Sequence, residues 1–524
     1  MTKRIILLIT IFLFLISFAG VLHAEEPALP QGLEDSAGGS DEPALPSGLS
    51  GGNSGNAEPA LPSGLGGGSN EPALPSGLGS ESNTGMEEGT GDAPALPPGL
   101  GGKSNAVNQS DSFFDEEEPQ GSVFSGVGFW EARGGRRIHE DPWQQDTSIG
   151  EIRLQLDGTR RYGSTSVNLT IDGVFDSVVD DHDVYLNQGK GWIDLRQANV
   201  AFTPLSFMDV KLGRQILTWG TGDLLFINDN FPKDWVSFFI GRDTEYLKAP
   251  SDAVKASVFT NAVNVDLVYT PQFDPDRYIS GERISYYNTN TGTLAGRNAV
   301  IETDRPDDVF DDDEVAARVY RTIAGYELAL YYYYGFWKSP AGQNLLGKAT
   351  FPKLAVTGGS IRGVVLGGIG NIEVGYMDSR NDDNGRHPLV RNSEWRYLVG
   401  YEKDLGFIAD DLTLGVQYYV ERMDDYDAYK STLPAGIPNK DETRQVITTR
   451  ITKLLMQQNL TLSIFAYYSP SDDDCYLRPR IDYKLTDHWQ IGAGGNIFDG
   501  EEQHTFFGQF EENSNVYAMV RYSF

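Results

Sequence analysis

The residues best suited to chemistry lie in Leu212-Gly213-Arg214-Gln215-Ile216-Leu217-Thr218-Trp219-Gly220-Thr221-Gly222-Asp223 and the run that follows it, Leu224 to Asp243. Fixed charges alternate there with aromatic rings: Arg214, Asp223, Asp229, Asp234, Arg242 and Asp243 beside Trp219 and Trp235. Carboxylates and guanidinium groups next to aromatic faces hold and filter solutes, and suit sugars or other amphipathic molecules. Covalent chemistry has no comparable set. Six histidines are scattered, and H-E-x-x-H, a phosphate-cradling loop and a cysteine pair are all missing from the sequence. The expectation is therefore a protein that binds or passes solutes, with no enzyme activity, no cofactor and no metal site. Acidic clusters such as Asp180-Asp181-His182-Asp183, Asp311-Asp312-Asp313-Glu314 and Asp472-Asp473-Asp474 are rich in oxygen. Such clusters could bridge to lipopolysaccharide through divalent cations, but none has the spacing of a dedicated calcium loop, so solvated loops are expected.

The elements that must carry these residues alternate with period two. Ile152, Leu154 and Leu156 interleave with Glu151, Arg153, Gln155 and Asp157, and Leu477, Pro479, Ile481 and Tyr483 with Tyr476, Arg478, Arg480, Asp482 and Lys484. Successive side chains on a strand point to opposite faces, so one face needs water and the other needs lipid or a dry core. Connections alternate too. Short turns at Arg161–Gly163, Thr203–Leu205, Thr260–Ala262, Thr322–Ala324, Gly367–Asn371, Asp404–Asp411, Gln457–Asn459 and Thr486–His488 separate long stretches near 178–190, 220–251, 271–313, 338–352, 380–393 and 424–442. Short links at one end and long ones at the other predict an all-β transmembrane antiparallel barrel over residues 122–524. About 18 strands are expected if 499–514 is a last external loop, with 16 the nearest alternative.

A barrel of that size encloses an aqueous lumen. The inward candidates are Glu151, Arg153, Glu327, Arg396, Arg478, Arg480, Asp482, Lys484 and Arg521, and their mixed signs imply a transversely charged channel rather than a simple ring of one sign. The aromatic-rich stretch after Asp223 would leave a large apolar patch in water if it stood upright. Folding into the lumen would bury it and place Arg214, Trp219, Asp223, Asp229, Asp234, Trp235, Arg242 and Asp243 at a constriction. The other outcome is a lid that packs on itself or on a neighbouring copy.

The amino-terminal region reads differently. Lys3 and Arg4 precede an apolar run from Ile5 to Val21 that ends at Leu22-His23-Ala24, a secretory signal peptide over residues 1–24. Residues 25–121 repeat one phrase, at Pro27–Leu33, Pro43–Leu49, Pro59–Leu65, Pro72–Leu78 and Pro94–Leu100, between Gly, Ser, Asn and acids. The prolines and glycines predict a disordered periplasmic tether, a spacer or a set of weak docking sites for a periplasmic partner. Residues 1–121 hold 17 acidic and 3 basic side chains, leaving 57 acids against 39 bases and a net charge of −18 for the remainder. That balance excludes nucleic acid as a partner.

Two resemblances follow from these residues. Val516 to Phe524, with Val520, Tyr522 and Phe524 on one face, resembles the closing strand by which bacterial outer-membrane barrels are recognised for insertion. This implies lipid and the barrel-assembly machinery as partners. The strand Gly213-Arg214-Gln215 running into Trp219-Gly220 resembles porin-like outer-membrane families that include alginate-export barrels and a related uncharacterised group. That resemblance implies a solute-conducting barrel in the outer membrane; the acidic balance makes a polyanionic cargo less natural. The alternatives are the outer-membrane component of an export system for lipophilic or polymeric cargo, and a plugged structural or adhesive barrel.

Overall fold

A computed structural model describes residues 125–524 apart from 180, 181, 187 and 383. The expected signal peptide (1–24) and tether (25–121) lie outside the described residues. Eighteen strands form one sheet, each paired antiparallel with its neighbour in sequence. The first strand, Ser125–Arg137, pairs with the last, Asn515–Ser523, so no edge is left open. Beyond the ladder, Gly128 N–H donates to the Phe524 carbonyl at 2.9 Å and Phe524 N–H donates to the Gly128 carbonyl at 2.8 Å. Closure matters because an unpaired backbone group in hydrocarbon costs several kcal/mol, as an order of magnitude, and only a helix or a closed barrel avoids it. No helix among the described residues is long and apolar enough to cross a membrane, which says nothing of a barrel.

Short links fall at residues 163–164, 206–207, 260–263, 324–325, 366–367, 405–411, 456–459 and 485–488, all at one end, within a few residues of the expected turns. Two of them are two-residue hairpins with both centres left-handed: Ala324 and Gly325 at φ +52° and +81°, and Leu366 and Gly367 at +50° and +74°. This is the turn whose twist matches the strands it joins. Long links at 177–192, 217–249, 271–313, 337–352, 380–393, 424–442 and 501–514 emerge at the other end, which is the extracellular end of such barrels. Two shorter links, 138–146 and 470–473, join them there. Asp474, expected in an outer loop with Asp472 and Asp473, instead opens the strand Asp474–Lys484.

The alternation sorts side chains as period two requires. In the strand Thr147–Tyr162, Ile152, Leu154 and Leu156 are 58, 43 and 46% exposed, while Glu151 and Arg153 are 2% exposed each. On the last strand Val516 and Ala518 face out, while Tyr517, Met519 and Arg521 are buried inside. Trp130, Trp489 and Tyr522 cluster beside that seam near the short-turn end, with Trp489 and Tyr522 ring centroids 4.9 Å apart. Aromatics at such a level sit where headgroups meet hydrocarbon. An apolar exterior with a charged interior is stable only with lipid outside. Leu154→Arg, at the middle of its strand, should cost about 2–4 kcal/mol of stability. Urea titration of the protein folded into vesicles would measure this, with Leu154→Ala as the smaller perturbation.

Candidate functional site

The link between the strands Met208–Ile216 and Pro250–Phe259 does not stand in solvent. Residues 217–249 turn into the lumen, and nearly all of them are buried or half-buried. Its middle forms a short helix, Trp235–Ile240, whose first turn is capped by the Asp234 carboxylate accepting from Ser237 N–H at 2.7 Å. Gly241 ends the helix in the left-handed region at φ +88°, where a Cβ would lie 2.2 Å from the Tyr517 ring. Glycine is the residue that allows both the conformation and the approach. Phe238 and Phe239 seat the helix on Tyr476 and Phe498, with centroid separations of 5.3–5.8 Å, and the Arg478 guanidinium lies 4.0 Å above the Phe238 ring.

Ion pairs from many strands fix the rest. Asp243 accepts from Arg133 at 3.0 Å, pairs with Arg480 at 2.9 Å, and is also held by Arg521. Glu131 joins the same group, pairing with Arg133 at 2.9 Å and Arg521 at 2.7 Å. Arg133 also donates to the Gly241 carbonyl. Arg242 donates to Glu151 at 2.9 Å, and Glu151 is shared with Arg153, which also meets Asp172. On the far wall Asp223 receives two hydrogen bonds from Arg450, at 2.5 and 2.8 Å, while Gln417 bonds both its N–H and its carbonyl at 2.8 Å. Glu373 receives N–H groups from Thr221 at 2.7 Å and Asn228 at 2.9 Å. Asn371 donates to the Thr221 carbonyl at 2.9 Å and Tyr467 to the Leu224 carbonyl at 2.9 Å. The next long link, 271–313, adds Arg277, which bridges Asp234 at 3.1 Å and Asp194 at 2.8 Å.

Electrostatics in the loop follow from this crowding. Burial alone would raise the Asp243 carboxyl, but Arg480, Arg521 and Arg133 outweigh it and hold it well below the usual carboxylate range. Two residues on, burial pushes Glu245 up to about 7, with Asp243 adding to the effect, and one of its carboxyl oxygens finds no partner.

Most of the residues expected at a constriction therefore hold the loop in place. Trp219 packs edge-on to Phe231 at 4.9 Å, Asp229 pairs with Lys233 at 2.9 Å, and Asp234 caps the helix. The Trp235 indole donates to Asp276 at 3.2 Å. Arg214 is a correction. It shares the outer face of its strand with Leu212, pairs across the sheet with Asp252 at 2.9 Å, and donates to the Leu186 carbonyl of the link 177–192. It lies outside the lumen because side chains two apart on a strand share a face.

The expected lining residues Glu151, Arg153, Glu327, Arg396, Arg478, Arg480, Asp482, Lys484 and Arg521 all occupy inward registers. Most are paired within the wall: Arg480 with Asp482 at 2.6 Å, Arg396 with Glu394 at 2.6 Å, and Glu327 with Arg318 at 2.6 Å. Arg133, Glu373, Gln417 and Arg450 were not foreseen. Their only signal in the sequence is an inward place on an alternating strand. A cavity of about 300 Å³ lies apart from this set, at the mouth that carries the long links, lined by His139, Glu140, Leu294, Gln503, Gly508, Glu511 and Glu512.

A closed, inwardly charged barrel of eighteen strands with an apolar exterior is a bacterial outer-membrane β-barrel. No family model matches the chain, and no curated protein matches it. Solved structures to which it is similar include outer-membrane proteins of three bacteria. With OccD3 (OpdP) of Pseudomonas aeruginosa it shares 10% identity over 77% of this chain and 91% of that one, at a TM-score of 0.44. With OccAB1 of Acinetobacter baumannii it shares 9% over 79% and 98%, at 0.46. With a loop-deletion form of OmpT, an outer-membrane protein of Vibrio cholerae, it shares 12% over 77% and 100%, at 0.36.

Two expected outcomes follow from the clamp. Asp243→Asn leaves three arginines facing a neutral side chain, and breaking a buried pair from one side costs about 3–5 kcal/mol. Trypsin should then cut after Lys233, Arg242 or Lys248 in the folded variant and spare the wild-type loop. Glu245 has the opposite sign. Its folded value of about 7 exceeds the unfolded one near 4.3, so the folded protein holds a proton that the unfolded chain has lost. Stability should fall as pH rises from about 4 through 7 and level off above that. Glu245→Gln should gain stability over wild type at pH 8 and gain none at pH 4, measured by urea titration at both.

Proposed function

We propose that the protein is a porin-like channel of the bacterial outer membrane through which small polar or amphipathic solutes pass passively, with the loop 217–249 setting the narrowest point. The observation that carries this is the clamp itself: the loop is tied to opposite walls, by Asp243 to Arg133, Arg480 and Arg521 on one side and by Asp223 to Arg450 on the other. A loop held across the lumen from both sides narrows it without depending on a partner. The resemblance of Gly213-Arg214-Gln215 and Trp219-Gly220 to alginate-export-like barrels supports the same reading at the level of class. Placement of the tether in the periplasm is part of the proposal, supported by the first strand starting at the end that carries the short turns.

The plugged barrel is the second reading, favoured by the loop charges Asp223, Arg242 and Asp243 being tied to the wall and by Arg277 of the next link lying against Asp234. Planar-bilayer conductance separates the two. The purified protein should give a steady conductance in potassium chloride, and replacing residues 221–247 with a short glycine-serine link should raise it several-fold. No conductance in wild type, with an open pore only in the shortened form, would establish the plug.

A further inference from the structure

Two charged lumenal residues of opposite sign line one recess without a partner of their own. Arg362, on the strand Lys353–Val365, and Glu402, on Glu394–Asp404, make no hydrogen bond or ion pair with any described residue. Their inward neighbours nearly all do. Both line a recess of about 50 Å³ on the short-turn side of the loop, together with Thr221, Asp223, Asn371 and Arg450.

Across the sheet Arg362 stands opposite Asn371, Asn371 opposite Gly400, Glu402 opposite Gly415, and Gly415 opposite Arg450. Two inward positions in that row are glycines. A Cβ at Gly400 would fall 2.2 Å from the Asn371 amide oxygen, and one at Gly415 would lie 3.4 Å from the Glu402 carboxylate. The Asn371 side chain therefore lies over Gly400, while bare backbone at Gly415 borders Glu402 and gives the recess a glycine floor there. Arg362 and Glu402 are separated by one strand, about 10 Å between backbones at the usual strand spacing. No ion pair joins them, and both belong to one electrostatic neighbourhood with Asp223 and Arg450.

Charge matching then names the ligand. Arg450 is already neutralised by Asp223 through two hydrogen bonds. What remains is one guanidinium and one carboxylate, both partly accessible and neither held in an ion pair. A planar guanidinium takes a carboxylate on two parallel N–H groups, and a carboxylate takes an ammonium. We propose that Arg362 and Glu402 form a lumenal station for small zwitterions, molecules carrying a carboxylate at one end and an ammonium at the other, which bridge the recess. The inference deepens the channel reading and rests on it for its physiological sense. A purely anionic or cationic solute satisfies one group and leaves the other unmatched. The small volume suits binding of charged ends in passing, rather than retention of a whole ligand.

The test uses three molecules of one length: 4-aminobutyrate, butyrate and butylammonium, titrated by calorimetry into the intact protein in detergent. Wild type should bind 4-aminobutyrate at least ten times more tightly than either analogue. Arg362→Gln should weaken 4-aminobutyrate and butyrate while leaving butylammonium unchanged. Glu402→Gln should weaken 4-aminobutyrate and butylammonium while leaving butyrate unchanged. Arg362→Lys, which keeps the charge, should retain part of the zwitterion preference and so guards against misfolding as the cause. Equal binding of all three molecules, or no detectable binding of 4-aminobutyrate to wild type, overturns the station. Calorimetry does not require an open pore, so conductance without zwitterion preference defeats the station alone. Zwitterion preference without conductance in the bilayer defeats the channel alone.

Discussion

One carboxylate ties the barrel's closure to its interior. Asp243 is held by arginines from the first strand, from Asp474–Lys484 and from the last strand, and two of those arginines, Arg133 and Arg521, also share Glu131. Glu131 and Arg521 stand directly opposite each other across the seam where the sheet closes. The same ion cluster therefore braces the closing pair and fixes the return leg of the loop. Lipid outside demands a closed sheet; a closed sheet with alternating side chains puts charge inside; and charge inside needs partners, which the loop supplies.

Buried ion pairs of this kind contribute little net stability, because desolvation offsets most of the attraction. Their consequence is geometric. A loop packed only through Phe238, Phe239 and Trp219 could slide over an aromatic wall at small cost, whereas one held by Asp243, Arg242 and Asp223 has a single register in which these three charges are matched. The backbone bonds from Gln417 to Asp223, and the N–H groups of Thr221 and Asn228 on Glu373, act in the same direction. An irregular backbone inside a barrel would otherwise leave its polar groups unmet.

The architecture was legible because period two is a local signal. Ile152, Leu154 and Leu156 against Glu151 and Arg153 mark the faces of a strand with no knowledge of its neighbours, and short against long links set which end is which. The strand number followed from the links. Pairing inside the lumen is a different kind of fact. Glu373 lies roughly 150 residues from Thr221 and Asn228, and nothing in either segment names the other. Arg214 shows the limit from the other side. Read as the start of the loop it belongs to the lumen, but it is two residues from outward Leu212 on the same strand, and the strand's register places it opposite Asp252 on the outer wall. A motif chosen for its residue types was divided between two faces by parity.

The interior charges come in balanced groups, and this bears on how the barrel could discriminate. Around the seam, Arg133, Arg480 and Arg521 face Glu131, Asp243 and Asp482. Beneath the helix, Arg153, Arg242 and Arg283 face Glu151, Asp172 and Asp176. In the recess, Arg362 and Arg450 stand with Glu402 and Asp223. The excess of 18 negative charges over residues 122–524 must then lie chiefly in places such as the acidic links near 307–313 and 424–427, outside the narrow region. A lumen without a strong field of one sign gives little preference between simple cations and anions at close range. The acidic mouth instead raises the local concentration of cations over anions before they reach the constriction, and leaves net-neutral zwitterions little affected. Selection at the loop falls to width and to the spacing of fixed charges, and spacing distinguishes solutes only when some charges remain unpaired, as Arg362 and Glu402 do.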